Sequence, residues 1–407
     1  MTENRTSTFR RLWQPPARFE DRASDRRVTF LELFFDLVFV VVLAQLAHRL
    51  AEHPSWSGVG WFVFLFYAMW SSWINGTLYH DLHTTNDVSV RIFTFGQMLA
   101  VAIMAVYVGD VPGNGADGFA LAYATNGFIL TILWFRTGLH DPTHRPASVP
   151  YSSGYFASAL LFAASVGFEQ PAQYRVWAAA LLLEVVGYVI ASFRWTPPAT
   201  QQGDANIAMT PSLIERIGLF MIIVLGEVVA GAVNGMAAIK PLELNGVTIG
   251  ILGMLVAIGL WWIYFDLVSH RPPVSRLTQI WVYVHLPLVI AIGAGGAGVL
   301  NTIEHVEEPL PDTVRWLLVG SLAAALVSMA IISQTLEERR VHRKLYSSAQ
   351  KAMVTGAVVA LVVGTTGWGA KASLTAMAVL LLLPIAVGTA AWLRIADSTF
   401  EESDGRA

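Results

Sequence analysis

The sequence contains no cysteine, which excludes disulfides, thiolate metal sites and cysteine nucleophiles. Charge is scarce as well. Asp, Glu, Lys and Arg make up 14% of the 407 residues, whereas a soluble domain carries about a quarter. A water-facing surface of this size needs far more charge, so most of the surface is expected to face lipid. No Gly-rich phosphate loop, nucleophile elbow or zinc-protease helix is present. These gaps exclude an ATP-driven pump contained in this chain alone, and no cofactor is expected. The first apolar run begins near Phe30, behind Arg5, Arg10, Arg11, Arg18, Arg22, Arg26 and Arg27. A cleaved signal peptide has its apolar segment closer to the start, so this run reads as an uncleaved anchor.

Hydrophobic residues account for 55% of the chain, with 14 Trp and 11 Tyr to anchor two membrane–water interfaces. A helix needs about 20 apolar residues to cross the hydrocarbon core. Runs of that size lie near 30–50, 58–79, 90–109, 117–138, 152–168, 175–193, 212–235, 247–268, 277–299, 312–333, 351–369 and 373–394. The expected fold is an all-α polytopic bundle of about twelve transmembrane helices, so the lipid bilayer is the first expected partner. If the N-terminus is cytoplasmic, all 26 Lys and Arg except Arg49, Arg175, Lys240, Arg315 and Lys371 fall on the cytoplasmic side. The outer segment Asn301–Asp312 carries Glu304, Glu307, Glu308 and Asp312 instead. Cations are held back on the cytoplasmic face during insertion, so both termini are expected inside.

Six plus six spans suggest a duplication. Glu32 opens the first span and Glu215 the seventh, each ahead of an aromatic and aliphatic run. Trp70 and Trp73 in the second span match Trp261 and Trp262 in the eighth, and Gln97 and His285 fall at similar depths. The predicted organisation is an Arg-rich segment at 1–29, six-helix repeats at 30–200 and 201–396, and an acidic tail at 397–407. A shift by an even number of spans makes these repeats parallel.

Charged side chains within a membrane helix are costly and usually functional. Glu32 and Asp36 are four residues apart, on one face of the first span. Glu32 also suits a helix N-terminus, where acids complement the macrodipole; Asp36 is deeper and reads as part of a buried pair or a functional site. The seventh span carries Glu215-Arg216 and then Gly226-Glu227, with Glu227 eleven residues beyond Arg216, about three turns and nearly the same face. Glu184, Asp266, Gln97, Asn126 and His285 are secondary candidates, Asp266 fitting an interfacial position as well. Two polar stretches, His80-Asp81-Leu82-His83-Thr84-Thr85-Asn86-Asp87 and His140-Asp141-Pro142-Thr143-His144, read as cytoplasmic loops. Their residue types suit a divalent metal, although solvated turns use the same residues.

The segment Thr29-Phe30-Leu31-Glu32-Leu33-Phe34-Phe35-Asp36-Leu37-Val38-Phe39-Val40 resembles the opening of the bacterial low-temperature-requirement A family. Glu215-Arg216-Ile217-Gly218-Leu219-Phe220-Met221-Ile222-Ile223-Val224-Leu225-Gly226-Glu227 is similar to its second hallmark. The resemblance spans most of the chain and implies a bacterial inner-membrane protein, without defining a reaction. A fainter similarity joins Phe35-Asp36 to the Phe-Ser-Asp motif of two-repeat endolysosomal potassium channels, but here the Ser is absent and the second half has no matching Asp.

The reading that fits best is a proton-coupled secondary transporter of an unidentified small molecule or ion, with no nucleic-acid partner. Its pathway residues would be Glu32, Asp36, Glu215, Arg216, Glu227, Gln97 and His285. The alternatives are an intramembrane or lipid-modifying enzyme using the His/Asp loops, and a cation channel.

Overall fold

The computed structural model describes residues 13–18, 26–83, 85, 87–194, 210–238, 244–269, 271–305 and 310–404. Arg5, Arg10, Arg11, Arg22, residues 201–209, Lys240, Glu307 and Glu308 lie outside the described residues. Among the described residues there are twelve long α-helices and no β-strand: α1 (Phe30–Glu52), α2 (Trp56–His83), α3 (Val88–Val108), α4 (Ala116–His140), α5 (Arg145–Ala164), α6 (Ala172–Arg194), α7 (Pro211–Ala238), α8 (Leu244–Leu267), α9 (Thr278–Glu304), α10 (Asp312–Thr335), α11 (Arg343–Gly364) and α12 (Ala370–Asp404). Eleven of them are long and apolar enough to cross a membrane. The exception is α5, whose 20 residues include Ser148, Ser152, Ser153 and Ser158.

The helices bury their polar residues and turn apolar side chains outward. On α3, Ile92, Phe95, Leu99, Ile103 and Val106 form an exposed stripe at helical spacing, while Gln97 and Thr94 are buried. On α1, Phe34, Leu37 and Val41 are about half exposed while Glu32 and Asp36 are not. In water this pattern would be unstable; in hydrocarbon it is the one that satisfies both solvent and interior. The structure therefore supports a polytopic helical membrane bundle.

Helix starts follow ordinary capping chemistry. Asp87 caps α3, its carboxylate accepting from the amides of Ser89 and Val90. Burial alone would raise this carboxyl, but hydrogen bonds from the Gln14 amide, Thr85, Ser89 and Val90 outweigh it and hold it below the usual range. Pro146 occupies the first turn of α5, so that helix begins at Arg145 rather than near residue 152, and it ends in a 3₁₀ turn at Ser165–Gly167.

Two compact units are present, Met1–Leu46 with Phe64–Arg216 and Ala47–Val63 with Ile217–Ala407. In the first, α3, α4, α5 and α6 pack in succession. At the α5–α6 contact a Cβ on Gly187 would stand 3.0 Å from the Pro150 carbonyl and 3.6 Å from Gly154 Cα, so the backbones meet through glycine. In the second, α9, α10, α11 and α12 pack in succession, α8 joins α9, and α12 returns to α8. Its cavity of about 30 Å³, lined by Val228, Gly253, Ala257, Gly296 and Ser321 among others, has room for roughly one water molecule.

The first of the two expected polar loops opens as helix, whereas the second is a loop except for His140. His80, Asp81 and His83 form the last turns of α2, and His140 ends α4, leaving a short connection through Asp141 and His144. Hydropathy drops at these residues, but their polar atoms are satisfied within the fold, so the helices continue.

Candidate functional site

Two helix starts in the first unit carry the candidate site. Thr29 caps α1: its hydroxyl accepts from the Glu32 amide at 3.3 Å, and Glu32 accepts from the Thr29 amide and hydroxyl, both at 2.9 Å. This reciprocal arrangement across Thr29-Phe30-Leu31-Glu32 is a capping box. Thr210 caps α7 in a related way, accepting from the Leu213 amide at 3.0 Å with Pro211 in the first turn. Its hydroxyl donates to both Asp81 oxygens, at 2.6 and 2.7 Å.

Arg216 connects these starts. It is fully buried and grips Asp36 with two nitrogens: Nη2 donates to Oδ1 at 2.5 Å and Nε to Oδ2 at 3.3 Å. Trp73 Nε1 donates to the same Oδ1 at 2.8 Å. The third nitrogen, Nη1, lies 3.7 Å from Glu32 Oε1 and makes no hydrogen bond. Arg26 pairs with Glu32 and approaches Asp81 at 3.4 Å. Three carboxyl groups (Glu32, Asp36, Asp81) thus face two guanidiniums (Arg26, Arg216) beside the N-termini of α1 and α7, whose dipoles favour anions. The guanidinium of Arg216 also lies 5.8 Å from the centre of the Phe35 ring.

Glu32, Asp36 and Arg216 are therefore brought together, and the pairing of Glu32 with Arg26 comes with them. Gln97 is buried nearby on α3, where a Cβ on Gly76 would touch both it and Phe35; its amide reaches Asn126 at 3.5 Å and its oxygen is unpaired. Glu215, by contrast, faces outward. Glu227 and His285 belong to the second unit. Glu227 is half-buried with no hydrogen bond or ion pair among the described residues, and Gly226 beside it faces open space. His285 is buried between the Trp281 carbonyl at 2.6 Å and the Tyr264 hydroxyl at 3.1 Å.

The candidate metal ligands do not converge. Among the described residues, no three His, Cys, Asp or Glu side chains form a group able to hold a metal. His80 is engaged by the Gly76 carbonyl and Thr94, and Asp81 by Thr210 and Arg26. His140 is exposed, and Asp141 closes the turn ahead of α5 by accepting from the Thr143 and His144 amides. His83 and His144 do meet, with Nε2 and Nδ1 at 3.2 Å. His83 Nδ1 faces the Ala17 carbonyl at 2.9 Å, which requires a proton there, so its Nε2 accepts from His144 Nδ1–H. Burial, together with the neighbouring His83, pushes His144 down to about 3 against the opposing pull of Asp141.

A second buried carboxyl is Glu184 on α6. It accepts hydrogen bonds from Ser71 on α2 and Ser158 on α5, both at 2.6 Å, and from Tyr123 on α4 at 3.2 Å. The sequence marks Glu184 as a membrane carboxylate, but nothing in it singles out these hydroxyls, because Ser and Tyr are common in such helices. Trp73 was equally silent for the same reason.

The family model for the bacterial low temperature requirement A protein (LtrA) matches residues 27–387. An uncharacterized protein of Rhizobium meliloti (strain 1021) is 27% identical over 306 residues, covering 71% of this chain and 70% of its own length. The matched region takes in Glu32, Asp36, Asp81 and Arg216 and runs into α12, and the chain belongs to the bacterial low temperature requirement A family.

Proposed function

We propose that this protein is a proton-coupled secondary transporter of a small solute, working in the bacterial inner membrane with both termini cytoplasmic. The observation that carries the reading is Arg216, fully buried, bonded to Asp36 and leaving Nη1 unbonded toward Glu32. A buried ion pair is poor value as a source of stability, so its retention suits a switch. When Asp36 takes up a proton it loses its charge, and Arg216 can turn its free nitrogen toward Glu32. Proton loss returns it to Asp36. Glu227, half-buried and unpaired, is a further carboxylate available to a proton or cation. The distribution of Lys and Arg supports the orientation, and the paired features of the first and seventh spans support two parallel six-helix repeats. An enzyme acting through the His/Asp segments would need an open reactive face, whereas His80, Asp81, His83, Asp141 and His144 are buried.

The test is proton entry into proteoliposomes loaded with a pH-sensitive dye. Asp36→Asn and Glu227→Gln are each expected to slow entry at least about tenfold, equivalent to roughly 1.4 kcal/mol of barrier, when assayed below each variant's own unfolding midpoint. Variants that match the wild-type rate would remove these carboxylates from the pathway.

A further inference from the structure

We infer that Glu184 is a proton-binding site, held as the neutral acid at the junction of α2, α4, α5 and α6. The site deepens the transport reading, but its existence can be tested apart from transport. Glu184 is buried, with 3% of its surface exposed. Its oxygens divide the hydroxyls between them: Oε1 faces Ser158, Oε2 faces Ser71, and the Tyr123 oxygen is 3.2 Å from both. The other titratable groups near it are Tyr67 on α2 beside Tyr123, Tyr155 on α5 and Tyr188 on α6, the last two bonded to each other. No Lys, Arg or His among the described residues pairs with it.

An ionised carboxylate in such a place would be an uncompensated charge in a low-dielectric interior, which proteins avoid by neutralising the group. The separations also decide between a proton and a metal cation. Serine oxygens at 2.6 Å are in direct hydrogen-bond contact with the carboxyl, so no gap is left for an ion between them. A proton needs no gap. In the acid form one carboxyl oxygen carries the proton and donates it to a hydroxyl. Tyr123 holds the longest contacts and touches both oxygens, which makes it the natural acceptor, while the two serines continue to donate.

The position connects this site with Asp36. Ser71 and Trp73 are two residues apart on α2, a rise of about 3 Å and a turn of about 200°. One helix therefore presents Ser71 to Glu184 and Trp73 to Asp36 from nearly opposite faces at nearly the same depth. Beyond them α2 carries further buried polar atoms without partners among the described residues, Asn75 Oδ1 and Thr77 Oγ1. A change of charge at either carboxyl thus acts on the same rigid element.

The experiment is infrared spectroscopy of the full-length protein in lipid bilayers, compared with Glu184→Gln. A carbonyl band of a protonated, hydroxyl-bonded carboxylic acid is expected at neutral pH and is lost in the variant. Ser158→Ala and Tyr123→Phe keep the carboxyl and are expected to shift that band, which covers the case in which Glu184→Gln does not fold. A wild-type spectrum without the band overturns the proposal, as does a band unmoved by both hydroxyl variants. A band that appears only when sodium is removed would also overturn it, because a metal cation would then occupy the site. If the band behaves as expected while wild-type proteoliposomes move no protons, the site stands and the transport reading fails alone.

Discussion

At the scale of single residues, the buried pair of Asp36 and Arg216 sets the strongest expectation. Removing one partner of a buried ion pair leaves the other charge uncompensated, at a cost of about 3–5 kcal/mol, whereas replacing both is far less damaging. Asp36→Asn is therefore expected to lower the unfolding midpoint in detergent sharply, and Asp36→Asn with Arg216→Gln to recover much of the loss. A double variant as unstable as the sum of its parts would show that the two side chains do not act as a pair. Much of this cluster was legible in the sequence. Glu32, Asp36 and Arg216 stand out because charge in an apolar run needs a reason. Trp73, Ser71, Tyr123 and Ser158 were not legible, because a hydrogen bond from one helix to another leaves no local trace in a chain rich in such residues. Glu215 illustrates the opposite error: it is as charged as its neighbour Arg216, yet one step around the helix puts it outside.

At the scale of elements, close packing and capping set two further expectations. Gly187→Ala would press a methyl group against the Pro150 carbonyl 3.0 Å away, forcing α5 and α6 apart at a cost of about 1–3 kcal/mol. Gly226→Ala meets nothing within 4 Å and is expected to be neutral or to stabilise α7 by up to about 1 kcal/mol. Thermal unfolding of both variants checks the contrast. The junction of α4 and α5 sets a pH dependence. Above pH of about 6.5 His144 is neutral in folded and unfolded chains alike and contributes nothing. Below that value the unfolded chain takes up a proton that the fold refuses until pH of about 3. Stability should therefore fall as pH drops through this window, by at most about 1.4 kcal/mol per unit from this group. His144→Asn is expected to show a shallower fall in the same unfolding assay. The sequence placed His80, Asp81 and His83 in a loop because hydropathy alone cannot tell a solvated turn from polar helix ends bonded inside the fold. It also started α5 too late, since two prolines and four serines make a poor apolar run while remaining compatible with a helix.

For the whole molecule, the number and order of helices followed from run length, and the membrane setting from the scarcity of charge. Orientation is an expectation that the absence of cysteine makes simple to test, because any introduced thiol is unique. Thr85→Cys, between α2 and α3, is expected to react with a membrane-impermeant maleimide only after the inner face is opened. His305→Cys, at the end of α9, should react in intact cells; the reverse pattern would invert the protein. The substrate was not legible, since a solute is recognised by a cavity shape that no spacing of residues reveals. The most direct measurement of the transport account is proton entry into wild-type proteoliposomes at a fixed pH gradient, across a panel of small solutes. The account predicts that at least one solute accelerates entry in a saturable way and that the acceleration disappears in Asp36→Asn. Proton entry that no solute alters, or that rises without saturation as a pore would allow, would contradict it.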